Sequence, residues 1–178
     1  MQLVNSGFLE DAEWEEEYQG VVSGWQGALQ ALKLYLENYF GQPRRSILVL
    51  RQSEFAYQRL LPYFLREELL AQWLTRSGAI GGAGERCELI LRDGSNMSGR
   101  VLVITGREAT VSWGQIHGLL EFKAFAMGPA VKMLGVRVCG WNLEAARADQ
   151  IRSEMTAAVE RLTQAMAASS APPAPPPS

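Results

Sequence analysis

The sequence predicts an α+β chain in which a curved antiparallel sheet wraps one long C-terminal helix. Three observations predict it. Short strand-like segments follow one another between residues 87 and 141, separated by turn residues rather than by helices. An amphipathic helix of about 25 residues closes the chain at 143–167. A similar strand and helix also stand at the front. Leu3-Val4-Asn5-Ser6-Gly7-Phe8 leads to a helix over 13–40, as Val136-Arg137-Val138-Cys139-Gly140-Trp141 leads to the last helix. Gly7 and Gly140 stand 133 residues apart, about one domain length.

Each element has its own signal. In the first helix Val21, Trp25, Ala28, Leu29, Leu32, Leu36 and Tyr39 step by three and four. Gly41 and Pro43 end it. Residues 46–51 form an apolar strand. Ser53 caps a short helix over 54–61, which Pro62 interrupts or follows with a new turn. A second short helix covers 67–74. The glycine-rich stretch 78–84 suggests a phosphate loop, but it follows a helix and precedes a strand, the reverse of the needed order, and it lacks a lysine.

The strand run then begins. Residues 87–92 turn at Asp93-Gly94, a hairpin signal. Strands over 99–105, 109–113 and 118–125 follow, then a turn at 127–130 and a last strand over 133–141. The final helix carries Ala148, Ile151, Met155, Ala158, Val159, Leu162 and Met166 on one face. Residues 169–178 are Ala, Pro and Ser alone, a composition that cannot bury enough surface to order itself.

Composition narrows the function classes. The chain has 178 residues, 47% hydrophobic and 20% charged, enough for one good core. No apolar run is long enough for a membrane span, and the N-terminus lacks a signal-peptide pattern, so a cytoplasmic location is expected. The net charge of −2 hides an asymmetry. Residues 1–20 hold six acids and no base; the remainder holds 17 basic and 13 acidic side chains. The acids sit around a helix start, where the macrodipole favours them; an acidic docking patch is the alternative. The diffuse positive balance elsewhere does not argue for nucleic acid. Cys87 and Cys139 read as buried thiols, and with His117 as the one histidine no Cys/His zinc site can form. No cofactor or metal is expected.

The order strand, two short helices, meander, long helix is that of a helix-grip fold. Several phrases resemble the START-like SRPBCC superfamily, and within it proteins related to the C-terminal domain of the activator of Hsp90 ATPase. They are Leu69-Leu70-Ala71-Gln72-Trp73-Leu74; Asp93-Gly94 with Gly99-Arg100-Val101-Leu102 and Val111-Ser112-Trp113; and Leu3 to Phe8 followed by Gly24-Trp25 and Leu29 to Leu36. The last phrase is similar to the family's ending yet stands at the front. The resemblance therefore implies a truncated tandem: residues 1–41 a remnant strand and helix, 42–45 a linker, 46–167 a complete domain and 168–178 a disordered tail. The second copy departs from the pattern at Cys139-Gly140-Trp141 and lacks the Gly-Trp pair in its helix.

The fold implies a non-catalytic module that binds a hydrophobic small molecule between sheet and C-terminal helix. Candidate lining residues are Trp73, Trp113, Phe122, Phe125, Trp141, Met155, Val159 and Leu162. Those side chains also suit simple core packing. The alternative is a protein-interaction or co-chaperone-like module. An enzyme of cyclase or hydrolase type is the remaining option, but its candidates are poor. His117 reads as a solvated loop group, and Glu121 and Lys123 as one polar strand face rather than an acid–base pair. The first helix leaves Trp25, Leu29, Leu32 and Leu36 without a sheet to grip. It must dock on the outside of residues 46–167, pair with a second chain, or belong to a sheet encoded upstream.

Overall fold

A computed structural model describes residues 12–55, 57–126 and 131–169. Leu3 to Phe8, the 127–130 turn and most of the tail lie outside them. The elements are α1 (Ala12–Leu34), β1 (Arg44–Ser53), α2 (Tyr57–Leu65), α3 (Glu67–Trp73), β2 (Thr75–Ser77), β3 (Arg86–Leu91), β4 (Asn96–Ile104), β5 (Glu108–Trp113), β6 (Gly118–Ala126), β7 (Lys132–Trp141) and α4 (Ala145–Ala168). A π-helical turn, Tyr35–Tyr39, extends α1, and a 3-10 turn, Gly114–Ile116, joins β5 to β6.

The strands form one curled antiparallel sheet in the order β1-β7-β6-β5-β4-β3-β2. The α+β helix-grip architecture is therefore as the sequence predicts. β1 pairs with β7 along ten residues, from Arg44 opposite Trp141 to Ser53 opposite Lys132. Arg44 and Arg45 thus belong to a strand and not to a linker. Asp93-Gly94 makes the β3–β4 turn, with Gly94 at φ +88, where a side chain would be strained.

The concave face carries the main core. Ile47, Val49, Val111, Trp113, Leu120, Phe122, Val136 and Val138 meet α4 through Ile151, Met155, Val159 and Leu162. Burying each such side chain contributes roughly 1.5–3 kcal/mol. α2 runs through Pro62 rather than stopping there, because Leu60, Tyr63 and Phe64 around it are anchored in this core. The Trp73 indole donates to the Tyr63 carbonyl at 2.9 Å, tying α3 to the end of α2. Arg92 and Arg161 close the α3 C-terminus by donating to the carbonyls of Ala71 and Trp73 at 2.5 and 2.9 Å.

The convex face is covered too. α1 crosses it over β4, β5 and β6. This is why β5 is buried on both sides: Ala109 and Val111 face the core, while Glu108 and Thr110 lie beneath α1. Of the three arrangements open to the first helix, the structure has docking on the outside.

Candidate functional site

The predicted lining residues divide between the two faces. Trp73, Trp113, Phe122, Met155, Val159 and Leu162 all lie in the concave core, none more than 1% exposed. Phe64 stacks on Phe122 at 5.1 Å, and Trp73 meets Phe122 edge-on at 5.7 Å. The indole nitrogen of Trp113 is buried without a hydrogen-bond partner among the described residues. Trp141 and Phe125 do not join this group. Strand alternation puts Trp141 with Cys139 and Arg137, and Phe125 with Lys123 and Glu121, on the convex face. Trp141 instead builds a second apolar cluster with Leu119, Cys139 and Ala31, against which Leu34, Tyr35 and Tyr39 pack.

α1 docks by its small residues. Gly27 and Ala31 are buried against the sheet, and a Cβ on Gly27 would overlap the Glu108 carboxylate. The large side chains Trp25, Leu29, Leu32 and Leu36 point outward, 37–54% exposed. The apolar stripe predicted to need a partner is thus the one this packing leaves in solvent. At the C-terminal end aromatic rings clamp the helix to the sheet. Tyr39 stacks on Trp141 at 4.8 Å and on His117 at 5.7 Å, and Tyr35 lies 6.2 Å from Trp141. His117 is exposed, as expected, and adopts a left-handed φ of 49° where it caps the 3-10 turn.

Beneath α1 lies a charge network that sequence reasoning caught only by half. Glu121 and Lys123 do share a strand face, but it is not solvated. Glu121 is fully buried, held by both arms of the Arg137 guanidinium and by Lys123 at 3.5 Å. Lys123 also reaches Glu108 at 3.6 Å, and Thr110 donates to Glu108 at 2.9 Å. Burial raises the Glu108 carboxyl above its usual range, Lys123 and Thr110 opposing and Glu121 adding to the rise. Burial disfavours the Arg137 charge, but Glu121 outweighs it and the guanidinium is held more firmly protonated than usual. Two acids and two bases neutralise one another here. The missed signal was alternation: Glu108, Glu121, Lys123 and Arg137 occupy convex-face positions of three adjacent strands.

Between α1 and β7 opens a cleft of about 470 Å³. Ala28, Ala31, Leu32, Tyr35 and Trp141 supply apolar walls; Gln42, Arg44 and Arg137 supply polar ones. Arg137 is already engaged by Glu121, whereas Arg44 is exposed and makes no ion pair among the described residues. Cys139 is buried in the cluster beneath. Cys87, in the other core, is pushed up to about 11 by burial and by Glu88, so it stays a protonated thiol at neutral pH. Among the described residues, no three His, Cys, Asp or Glu side chains gather as a metal site, and no helix is long and apolar enough to cross a membrane.

No protein-family model matches the sequence, and no curated protein does. Solved structures of the same fold do match. Protein MLL2253 from Mesorhizobium loti superposes with a TM-score of 0.56 at 16% identity, covering 71% of this chain and all of that one. The Aha1 dimer from Colwellia psychrerythraea gives 0.56 at 11% identity, covering 68% and 95%. CalU16 from Micromonospora echinospora gives 0.54 at 14% identity, covering 69% and 76%. These likenesses show the helix-grip fold alone.

Proposed function

We propose that this chain is a non-catalytic binding module for an amphipathic small molecule, held in the cleft between α1 and the convex face of the sheet. One observation carries the reading. A concavity of about 470 Å³ joins an apolar wall at Leu32 and Trp141 to the Arg44 guanidinium, which makes no ion pair among the described residues. Its volume lies within the range of small-molecule sites, roughly 300–1,000 Å³. An apolar body would pack on Trp141 and Leu32, and a carboxylate or similar anion would accept from Arg44. The concave interior, where the sequence placed the ligand, is occupied by six of its own expected lining residues packed together. The non-catalytic part of the reading is supported by chemistry. Cys87 is held protonated, and the charge network is internally paired beneath a helix.

Titration with dodecanoate and with dodecanol, followed by native mass spectrometry, tests this. Both should bind with one-to-one stoichiometry, dodecanoate the more tightly. Arg44→Gln should weaken dodecanoate about tenfold, one charge-assisted hydrogen bond, and leave dodecanol unchanged. Absence of saturable binding by either probe would contradict the proposal.

The concave interior keeps one observation in its favour, the buried Trp113 nitrogen, which has no acceptor among the described residues. If Trp113→Phe abolished binding and Arg44→Gln did not, the ligand would belong there.

A further inference from the structure

We infer that the convex face of the β2–β3–β4 end of the sheet holds a separate site, which takes a neutral sugar or similar polyol. α1 packs on β4, β5 and β6. Beyond it a concavity of about 470 Å³ opens over β2, β3 and the start of β4, a volume within the range of small-molecule sites. Strand alternation composes its floor. Cys87, Leu89 and Met97 point into the concave core, so Glu88, Ile90, Asn96 and Ser98 face outward. Glu88 lies opposite Ser98, and Ile90 stands between Asn96 and Ser77. The site shares no residue with the cleft beside α1 and does not depend on it.

One wall is fixed in advance. Gln115, on the 3-10 turn after β5, donates from Nε2 to Ser98 Oγ at 2.8 Å, and its Oε1 accepts the Ser98 backbone N–H at 3.0 Å. Gly114 lets the turn come this close: a Cβ there would lie 3.3 Å from the Ser98 carbonyl oxygen, a tight contact. Buried Ile116 anchors the turn from beneath. Ser98 Oγ accepts from Gln115 and so keeps its own proton to donate. The Asn96 amide both donates and accepts. Glu88 only accepts, and it makes no ion pair among the described residues. A hydroxyl does both, so a polyol satisfies this mixed set. Ile90, 42% exposed, gives the C–H face of a sugar ring an apolar surface. Charge disfavours the other polar classes. An anion would meet Glu88. A cation would meet Arg86 and Arg100, which stand opposite one another in the next row of the same face.

Titration of the isotope-labelled full chain with glucose, maltose and cellobiose, followed by amide chemical shifts, tests this. Saturable shifts at millimolar sugar should be confined to Glu88, Ile90, Asn96, Ser98 and their neighbours, with the Gln115 side-chain amide. Glucosamine and glucuronate, the same ring with a positive or a negative charge, should bind more weakly than glucose. Glu88→Gln and Gln115→Ala should each weaken binding about tenfold. Both side chains are exposed, so both variants keep the fold. Absence of saturable shifts with all three neutral sugars overturns the inference. So does full affinity in both variants, or tighter binding of either charged sugar than of glucose. Shifts centred on Leu32 and Trp141 would also overturn it, because the sugar would then lie in the cleft beside α1.

Discussion

Glu108 is a side chain whose ionisation burial disfavours. Its carboxyl is raised by burial, so the folded protein holds the proton more tightly than the unfolded chain does. Its stabilising contribution is complete below the ordinary value of about 4.3 and is lost as pH rises through the higher folded value. Denaturant midpoints should therefore fall over that interval, and Glu108→Gln should flatten the fall. An identical pH profile in the variant would contradict this assignment. Arg137 poses the opposite case. Its removal strands Glu121, which is fully buried, with Lys123 as its remaining cation. Arg137→Met should cost about 3–5 kcal/mol in chemical denaturation, the penalty of an uncompensated buried charge. A cost below about 1 kcal/mol, typical of a surface pair, would mean that α1 does not cover this network. The shared face of Glu121 and Lys123 was legible in the sequence, but its burial was not. Glu121 and Lys123 read there as a wet strand face because nothing in their own strand reveals the helix that dries it.

At the scale of elements, α1 is where sequence and structure part. Its period was legible, and so was the need to cover its large residues. Which side would dock was not. The sheet takes Gly27 and Ala31 because a closely approaching helix leaves room for small side chains over Glu108, Leu119 and Cys139. Small residues on a helix carry no hydrophobic signal, so a search for apolar stripes passes over them. Gly27→Leu should therefore displace α1 and cost about 1–3 kcal/mol, as an overpacked contact does, whereas Gly24→Ala, with open space around it, should be neutral or stabilising. Thermal melts of both variants would check the contrast. The aromatic clamp makes a second test. Trp141→Ala removes the ring on which Tyr35 and Tyr39 rest and should cost about 3–5 kcal/mol. The concave elements were far more readable. The helical stripe of α4, the Asp93-Gly94 turn and the run of strands are local signals that the fold leaves intact. Pro62 misled because tertiary anchoring of Tyr63 and Phe64 carried α2 past it.

For the molecule as a whole, the sheet is the middle layer of three. α4 with α2 and α3 fills its concave side, and α1 covers much of its convex side. The second cover explains why β6 alternates so imperfectly in sequence: Leu119 and Glu121 are as deeply buried as Leu120 and Phe122. It also splits Trp141 and Phe125 from the side chains with which the sequence grouped them. The proposed cleft rests on α1 being docked through Gly27 and Ala31. Amide hydrogen exchange on the full chain measures that docking. The amides from Gly27 to Leu34 should exchange slowly, at rates approaching those of β5 and β6. Exchange there as fast as in the exposed 81–85 loop would contradict the account.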